Sequence, residues 1–410
     1  MNVRPLGGLA RDVDRARQGG AFGPNESKAA AVIVRAVRRG GDAAVLRTVR
    51  RFDRRDARAR DLVVEAKAIH RAARGCDAET RRALDLAHTR IRAFHERQRP
   101  REAQRRDGHG DVRLVPLPLD RVGALVPRGI DAYPSTALMT GVPSQIAGVR
   151  ELVVASPMPS DGSIDPALAY ALELTGATTL YRAGGAAAVA ALAYGTGSLR
   201  RVDKIVGPGN AYATAAKWLV SADVGIDALQ GPSELIVVAS GDADAGVLAL
   251  DLLAQAEHGA GSFAALVSDD AKLLRAVDAA LAAHAKARVF TYRARDLVAA
   301  VRAADAAAPE HVLLAGRAAA ALSAQVRHAG AVFVGMRSAV AFGDYVAGTN
   351  HSLPTGGTAR WASALRVEDF VRWTSRVSLR GDLTGLARAG AAIADHEGMR
   401  YHRESMEARA

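Results

Sequence analysis

Hydrophobic positions follow two rhythms along this chain, and the change between them comes near residue 110. Upstream, apolar residues recur at helical spacing among arginines and acids. The stretch "ESKAAAVIVRAVRRGGDAAVLRTVRRFD" (26–53) predicts two amphipathic segments broken at Gly40 and Gly41. "AETRRALDLAHTRIRAFHERQRP" (78–100) predicts a long helix ended by Pro100. Two strand-like pieces follow, "VRLVPLPL" and "VGALVPRG". Short apolar runs then alternate with helical stretches: "ELVVAS" (151–156), "TTLYRAGG" (178–185) and "VDKIVGPGN" (202–210) each precede one. A second set comprises "ELIVVAS" (234–240), "SFAALVS" (262–268), "HVLLA" (311–315) and "AVFVG" (331–335). Continuous apolar strands, with glycines where strand hands over to helix, predict buried parallel sheets. The fold class expected is therefore α/β, with two doubly wound, Rossmann-like halves whose sites lie at the carboxyl ends of the strands. A helical N-terminal region precedes them, and the tail from about 365 reads as helical.

Composition narrows this picture. At 410 residues the chain has room for two or three domains. Aromatics are scarce, at 5%, and alanine is abundant, so the helices are expected to pack closely through small side chains. The opening "MNVRPLGGLARDVDRARQGG" lacks the apolar core of a signal peptide, and no apolar stretch reaches membrane-spanning length. The single cysteine, Cys76, rules out an internal disulfide and any multi-cysteine zinc site. Together these point to a cytoplasmic protein. The formal charge of +12 raises nucleic-acid binding as an alternative. Basic runs such as "RRFDRRDARARD" (50–61) alternate with aspartates and lack interleaved aromatics, which reads as a solvated arginine-rich face.

Candidate chemistry gathers in a few polar stretches. In "LLAQAEHG" (252–259) an otherwise apolar helix, with Asp242 or Asp244 as N-cap, ends on Gln255, His258 and then Gly259. Residues three apart share a helix face, and the carbonyl end of a helix favours a cation. A divalent metal fits there, as do water or a neighbouring carboxylate. "APEHVLL" (308–314) places Glu310 and His311 side by side before a strand, a pair able to share proton transfers. "FGDYVAGTNHSLPTGG" carries Asp344 and His351 in a loop, "HEGMRYH" carries Glu397 and His402, and "QGPSELIVV" puts Ser233 at the mouth of a strand. "GPGNAYATAAK" (207–217) can bring its backbone to a phosphate at a helix N-terminus, although it matches neither GxGxxG nor a P-loop.

Taken in order, "GPGNAYATAAK", "GPSE", "LLAQAEHG", "APEH", "GDYVAGTNHSLPT" and "HEGMRYH" resemble the motifs of the histidinol dehydrogenase family, and the resemblance covers nearly the whole chain. It implies that Gln255, His258, Asp344 and His402 hold one zinc ion, a mixed nitrogen and oxygen set. Ser233, His351 and Glu397 match substrate-contacting residues, and the substrate's amine and imidazole would complete the zinc coordination. His311 matches the base of both oxidations and Glu310 the residue that activates water, with two NAD consumed in turn. A homodimer that shares residues across subunits is implied as well. On this footing the expected division is a segment 1–20, a first Rossmann-like domain 21–124 plus 235–364, a second 125–234, and a C-terminal helical tail 365–410, swapped in the dimer. The alternatives are a paralogous zinc and NAD dehydrogenase of another small polar alcohol, and a nucleic-acid-binding protein on an inactive scaffold.

The cofactor positions depart from the family pattern. Leu125 and Arg128 stand in "LVPRG" where the family usually has tyrosine and glycine, and Ala187 stands in "GGAAAVAAL" where it usually has glutamine. Of the three side chains that commonly touch NAD, Asn210 remains. Arg128 offers a compensation, since a guanidinium pairs well with phosphate.

Overall fold

Strand pairing divides the chain differently from its sequence rhythm. The computed structural model describes residues 3–18, 20–129, 132–259, 261–284 and 288–410. Among them, one six-stranded parallel sheet runs Arg4–Pro5, Val289–Arg293, Phe263–Ser268, Glu234–Ala239, His311–Ala315, Ala331–Val334. A second runs Val63–Glu65, Thr179–Tyr181, Glu151–Ala155, Arg121–Leu125, Lys204–Val206, Gly225–Ile226, parallel except at its first pair. The central strands Glu234–Ala239, Phe263–Ser268 and His311–Ala315 are buried at every position, which their unbroken apolar sequences require. Both doubly wound sheets are thus present, and both belong to one compact unit, residues 1–98 and 119–370.

The domain boundaries need correction. Arg121–Leu125 pairs on both sides within the second sheet, so a boundary between 124 and 125 cuts a strand. Residues 21–98 build their cores mainly with the second sheet, although Arg90 also bonds the carbonyls of Val346 and Ala347. Val34, Val37, Val45 and Val49 of helix Pro24–Phe52 share a core with Ala186–Ala193, and Ile69, Leu84 and Ile91 share one with Val122 and Val154. Residues 3–17 are not a separate segment either. Arg4–Pro5 extends the first sheet, and Leu9 and Val13 are buried against Ile236 and Val312. The tail begins at 371 and takes in residues 99–118 as a second unit. It is not wholly helical: Val371–Leu379 pairs antiparallel with Gly110–Pro118, which pairs with Ala103–Asp107. The alternation in "VRWTSRVSL" is the period-two signal that the helical reading overlooked.

Local expectations fared better. Helix Pro24–Phe52 is two helical segments meeting at a kink where Gly41 takes a non-helical φ 48, as the break at Gly40 and Gly41 predicts. Close packing through small residues is clearest at helix Gly185–Tyr194, where Ala186 to Ala193 are all buried. A Cβ on Gly123 would lie 2.8 Å from Leu192, so only glycine admits that helix so near the strand. No helix among the described residues is long and apolar enough to cross a membrane.

Candidate active site

Helix Leu297–Ala307 ends on Ala308, the only non-glycine described residue with positive φ (φ 46, ψ 57), and Ala308 is fully buried. Pro309 follows, then Glu310, and His311 opens its strand. Successive strand residues point to opposite faces. Because Glu310 precedes the strand, its carboxylate stays beside the ring, with Oε2 3.4 Å from His311 Nδ1. Glu310 Oε2 also accepts the Ser233 hydroxyl at 2.5 Å and the backbone N–H of Glu234 at 3.0 Å. His311 Nδ1 faces the Glu234 carbonyl at 3.3 Å, which leaves Nε2 for other chemistry. Both side chains are buried. Burial disfavours charge on each, but the pairing outweighs it, so Glu310 titrates below the usual carboxylate range and His311 above a free imidazole.

The metal candidates of the first unit converge on this pair. Asp244 caps helix Ala245–Ala256 by accepting from Val247 N–H, whereas Asp242 holds Ser240 and Arg317 instead. Gln255, near the helix end, is buried and donates Nε2 to Ser233 Oγ at 3.0 Å. Its Oε1 accepts no hydrogen bond among the described residues. His258 Nδ1 lies 3.2 Å from the Gln255 carbonyl; a carbonyl only accepts, so Nδ1 carries the proton and Nε2 the lone pair. Asp344, in helix Val340–Tyr345, feels the charges of His311, His351 and His258. Burial nonetheless prevails and raises its pKa. His351 donates Nδ1–H to the Asp344 carbonyl at 2.9 Å, and burial lowers its pKa against the pull of the Asp344 carboxylate.

An amide oxygen, an imidazole lone pair and a carboxylate raised by burial make a donor set that fits a divalent cation. Among the described residues no three His, Cys, Asp or Glu form a metal-holding group. His402 and Glu397 belong to the second unit, on helix Arg400–Glu407 and at the C-cap of Thr384–His396, and both are exposed.

On the second sheet, Asn210 is exposed and caps helix Ala211–Val220, its Oδ1 accepting from Ala213 N–H at 3.0 Å. The turn before it is tied down by buried groups. Gly207 N–H donates to Asp227, while Lys217 Nζ reaches the Gly207 carbonyl, Asp227 and Gln230. Leu125 and Ala187 are buried in one apolar cluster with Ala213. A helix N-terminus with an exposed amide suits a phosphate-bearing cofactor, whereas the two substituted positions present it no polar group.

Two contributors escaped the sequence reading. The Thr136 hydroxyl stands 3.4 Å from His351 Nε2, and the main chain of Glu234 meets both Glu310 and His311. The signal for the second was an acid opening an otherwise apolar strand, "ELIVVA". Thr136 gave none.

The comparisons identify the family and the fold. The family model described as histidinol dehydrogenase matches residues 22–410. The histidinol dehydrogenase of Syntrophotalea carbinolica is 43% identical over 92% of this chain and 91% of its own length. That of Bradyrhizobium diazoefficiens is 42% identical over 92% and 91%. The crystal structure of histidinol dehydrogenase from Elizabethkingia anophelis superposes with a TM-score of 0.87 at 28% identity, covering 93% of this chain and 91% of that one. With a family match across nearly its whole length and relatives above 40% identity, the chain belongs to the histidinol dehydrogenase family.

Proposed function

We propose that this chain oxidises L-histidinol through L-histidinal to L-histidine, closing histidine biosynthesis in the cytoplasm, with two NAD and one zinc ion per subunit. The observation that carries the reading is the Ser233, Glu310 and His311 cluster beside Gln255, His258 and Asp344. Gln255, His258 and Asp344 would hold the zinc with His402 as fourth ligand, and the ion supplies positive charge that orients the substrate. Asn210 and its helix N-terminus would receive NAD, the hydride acceptor in both oxidations.

His311 accepts the alcohol proton as the hydride leaves, through the Nε2 that Glu234 does not occupy. Glu310 then takes a proton from water, whose oxygen attacks the aldehyde carbon, while His311 returns its proton to the aldehyde oxygen, which gives the hydrate and a free ring. His311 accepts a hydrate hydroxyl proton as the second hydride departs, which yields the carboxylic acid, and its remaining proton passes to solvent to leave the carboxylate. Ser233 positions Glu310, and Thr136 holds His351 near the substrate. Glu397 and His402 are supplied by the partner in a homodimer; their exposure in the isolated chain supports this.

The decisive assay supplies zinc-loaded protein with NAD and L-histidinol and counts NADH per histidine formed. Two are expected. One NADH with aldehyde accumulation, or no turnover, overturns the reading.

Arg128 follows the strand Arg121–Leu125, pairs its backbone with Ala132, and its charge reaches Asp53 and Asp161. Burial drives Asp53 up to about 6 despite a hydrogen bond from the Met158 backbone, so this arginine has a partly buried acid to offset as well as any phosphate to meet. Arg128→Gly is expected to raise the KM for NAD several-fold, about 1 kcal/mol of binding. An unchanged KM discards the compensation.

A further inference from the structure

Both catalytic side chains hang on the peptide of one residue that is not itself catalytic. The N–H of Glu234 donates to Glu310, and its carbonyl faces His311 Nδ1. Glu234, a residue only 5% exposed, opens a central strand of the first sheet, where an uncompensated charge is strongly destabilising. Arg17 compensates it with a fork: Nε donates to Oε1 at 2.7 Å and Nη2 to Oε2 at 2.6 Å. Gly356 N–H adds a third bond to Oε1 at 3.2 Å. The same Nη2 lies 3.5 Å from the carbonyl of Ala308, the left-handed residue that launches Pro309, Glu310 and His311. Arg17 therefore grips the chain on both sides of the catalytic pair.

Its own mounting is firm. Arg17 ends helix Leu9–Arg17, whose Leu9 and Val13 are buried, and whose Asp12 bonds Arg4 and Tyr292. It also lies upstream of residue 22, where the family match begins.

We propose, resting on the function above, that Arg17 is a positioning residue for the dehydrogenase reaction. By fixing the Glu234 carboxylate and the Ala308 carbonyl, it sets where Glu310 and His311 stand. Lysine cannot reproduce a planar fork, so the requirement is for guanidinium geometry as well as charge.

The test uses the full, zinc-loaded chain with Arg17→Met, Arg17→Lys, Glu234→Gln and the double variant Arg17→Met/Glu234→Gln. Steady-state constants are measured for L-histidinol and NAD, alongside zinc per subunit and melting temperature. Arg17→Met is expected to lower kcat about 30- to 100-fold, as an ångström-scale misplacement does, with both KM values within about threefold. Arg17→Lys should recover part of that loss. Adding Glu234→Gln to Arg17→Met should cost no more than about twofold further, because the two act as one unit. The proposal is overturned if kcat per folded, zinc-loaded subunit stays within about twofold, if the loss lies in KM alone, or if the two losses multiply. Crystal structures of the unaltered chain and Arg17→Met give a readout independent of turnover. Glu310 or His311 should leave the Glu234 peptide in the variant, and unmoved side chains overturn the proposal. Should the unaltered chain fail on L-histidinol, the functional reading falls, while the crystallographic comparison still decides the role of Arg17.

Discussion

Glu310→Gln is expected to slow oxidation of L-histidinal by about 10²- to 10³-fold while slowing the alcohol step only several-fold, and His311→Asn to slow both steps by about 10²- to 10⁴-fold. The asymmetry follows from the hydrogen bonds. A glutamine at 310 keeps an oxygen for the Ser233 hydroxyl and the Glu234 N–H, so the cluster holds its shape. It cannot take a proton from water, which only the aldehyde step demands. It also withdraws the negative charge that raises His311, hence the smaller loss in the first step. Asparagine at 311 removes the base common to both steps. Single-turnover measurements started separately from alcohol and aldehyde resolve the two, with zinc content as the control. Equal losses of Glu310→Gln on both substrates would show that the division of labour is mistaken.

A mixed dimer of His402→Ala and Asp344→Ala subunits should recover a working site that neither variant has alone. If His402 reaches the partner's zinc site, each homodimer lacks a ligand at both sites and loses stoichiometric zinc, with activity down by roughly 10³-fold or more. In the heterodimer, the subunit with intact Asp344 receives the intact His402 of the other, and the remaining site carries both defects. One zinc per dimer and about half the unaltered activity are then expected. Differently tagged, co-expressed subunits supply the material, and elemental analysis with the NADH assay reads it. A heterodimer as empty and inactive as its parents excludes sharing across subunits.

The sheets were legible because strands buried on both faces must be apolar throughout, and "ELIVVAS", "SFAALVS" and "HVLLA" can be little else. The assignment of helices to sheets was not legible. Helix Pro24–Phe52 has an apolar stripe that would serve either half, and only contact with Ala186 to Ala193 decides between them. "VFTYR" and "VRWTSRVSL" were missed because short or polar alternating strands carry a weak signal without their partners. Within the candidate site, residue types and motif order named Ser233, Gln255, His258, Glu310, His311, Asp344 and His351, which hydrogen bonds and electrostatic interactions link to one another. The main-chain groups that hold them have no signature in side-chain identity. Arg17 stood unremarked in "RDVDRAR" because nothing local distinguishes the arginine that finds a buried acid 217 residues away.

The apolar cluster that encloses Leu125 and Ala187 limits what either position can accept. A tyrosine or glutamine placed there by itself would introduce bulk and an unsatisfied dipole into packed apolar surroundings. Polarity at these positions is therefore expected to require accompanying changes in the side chains packed around them.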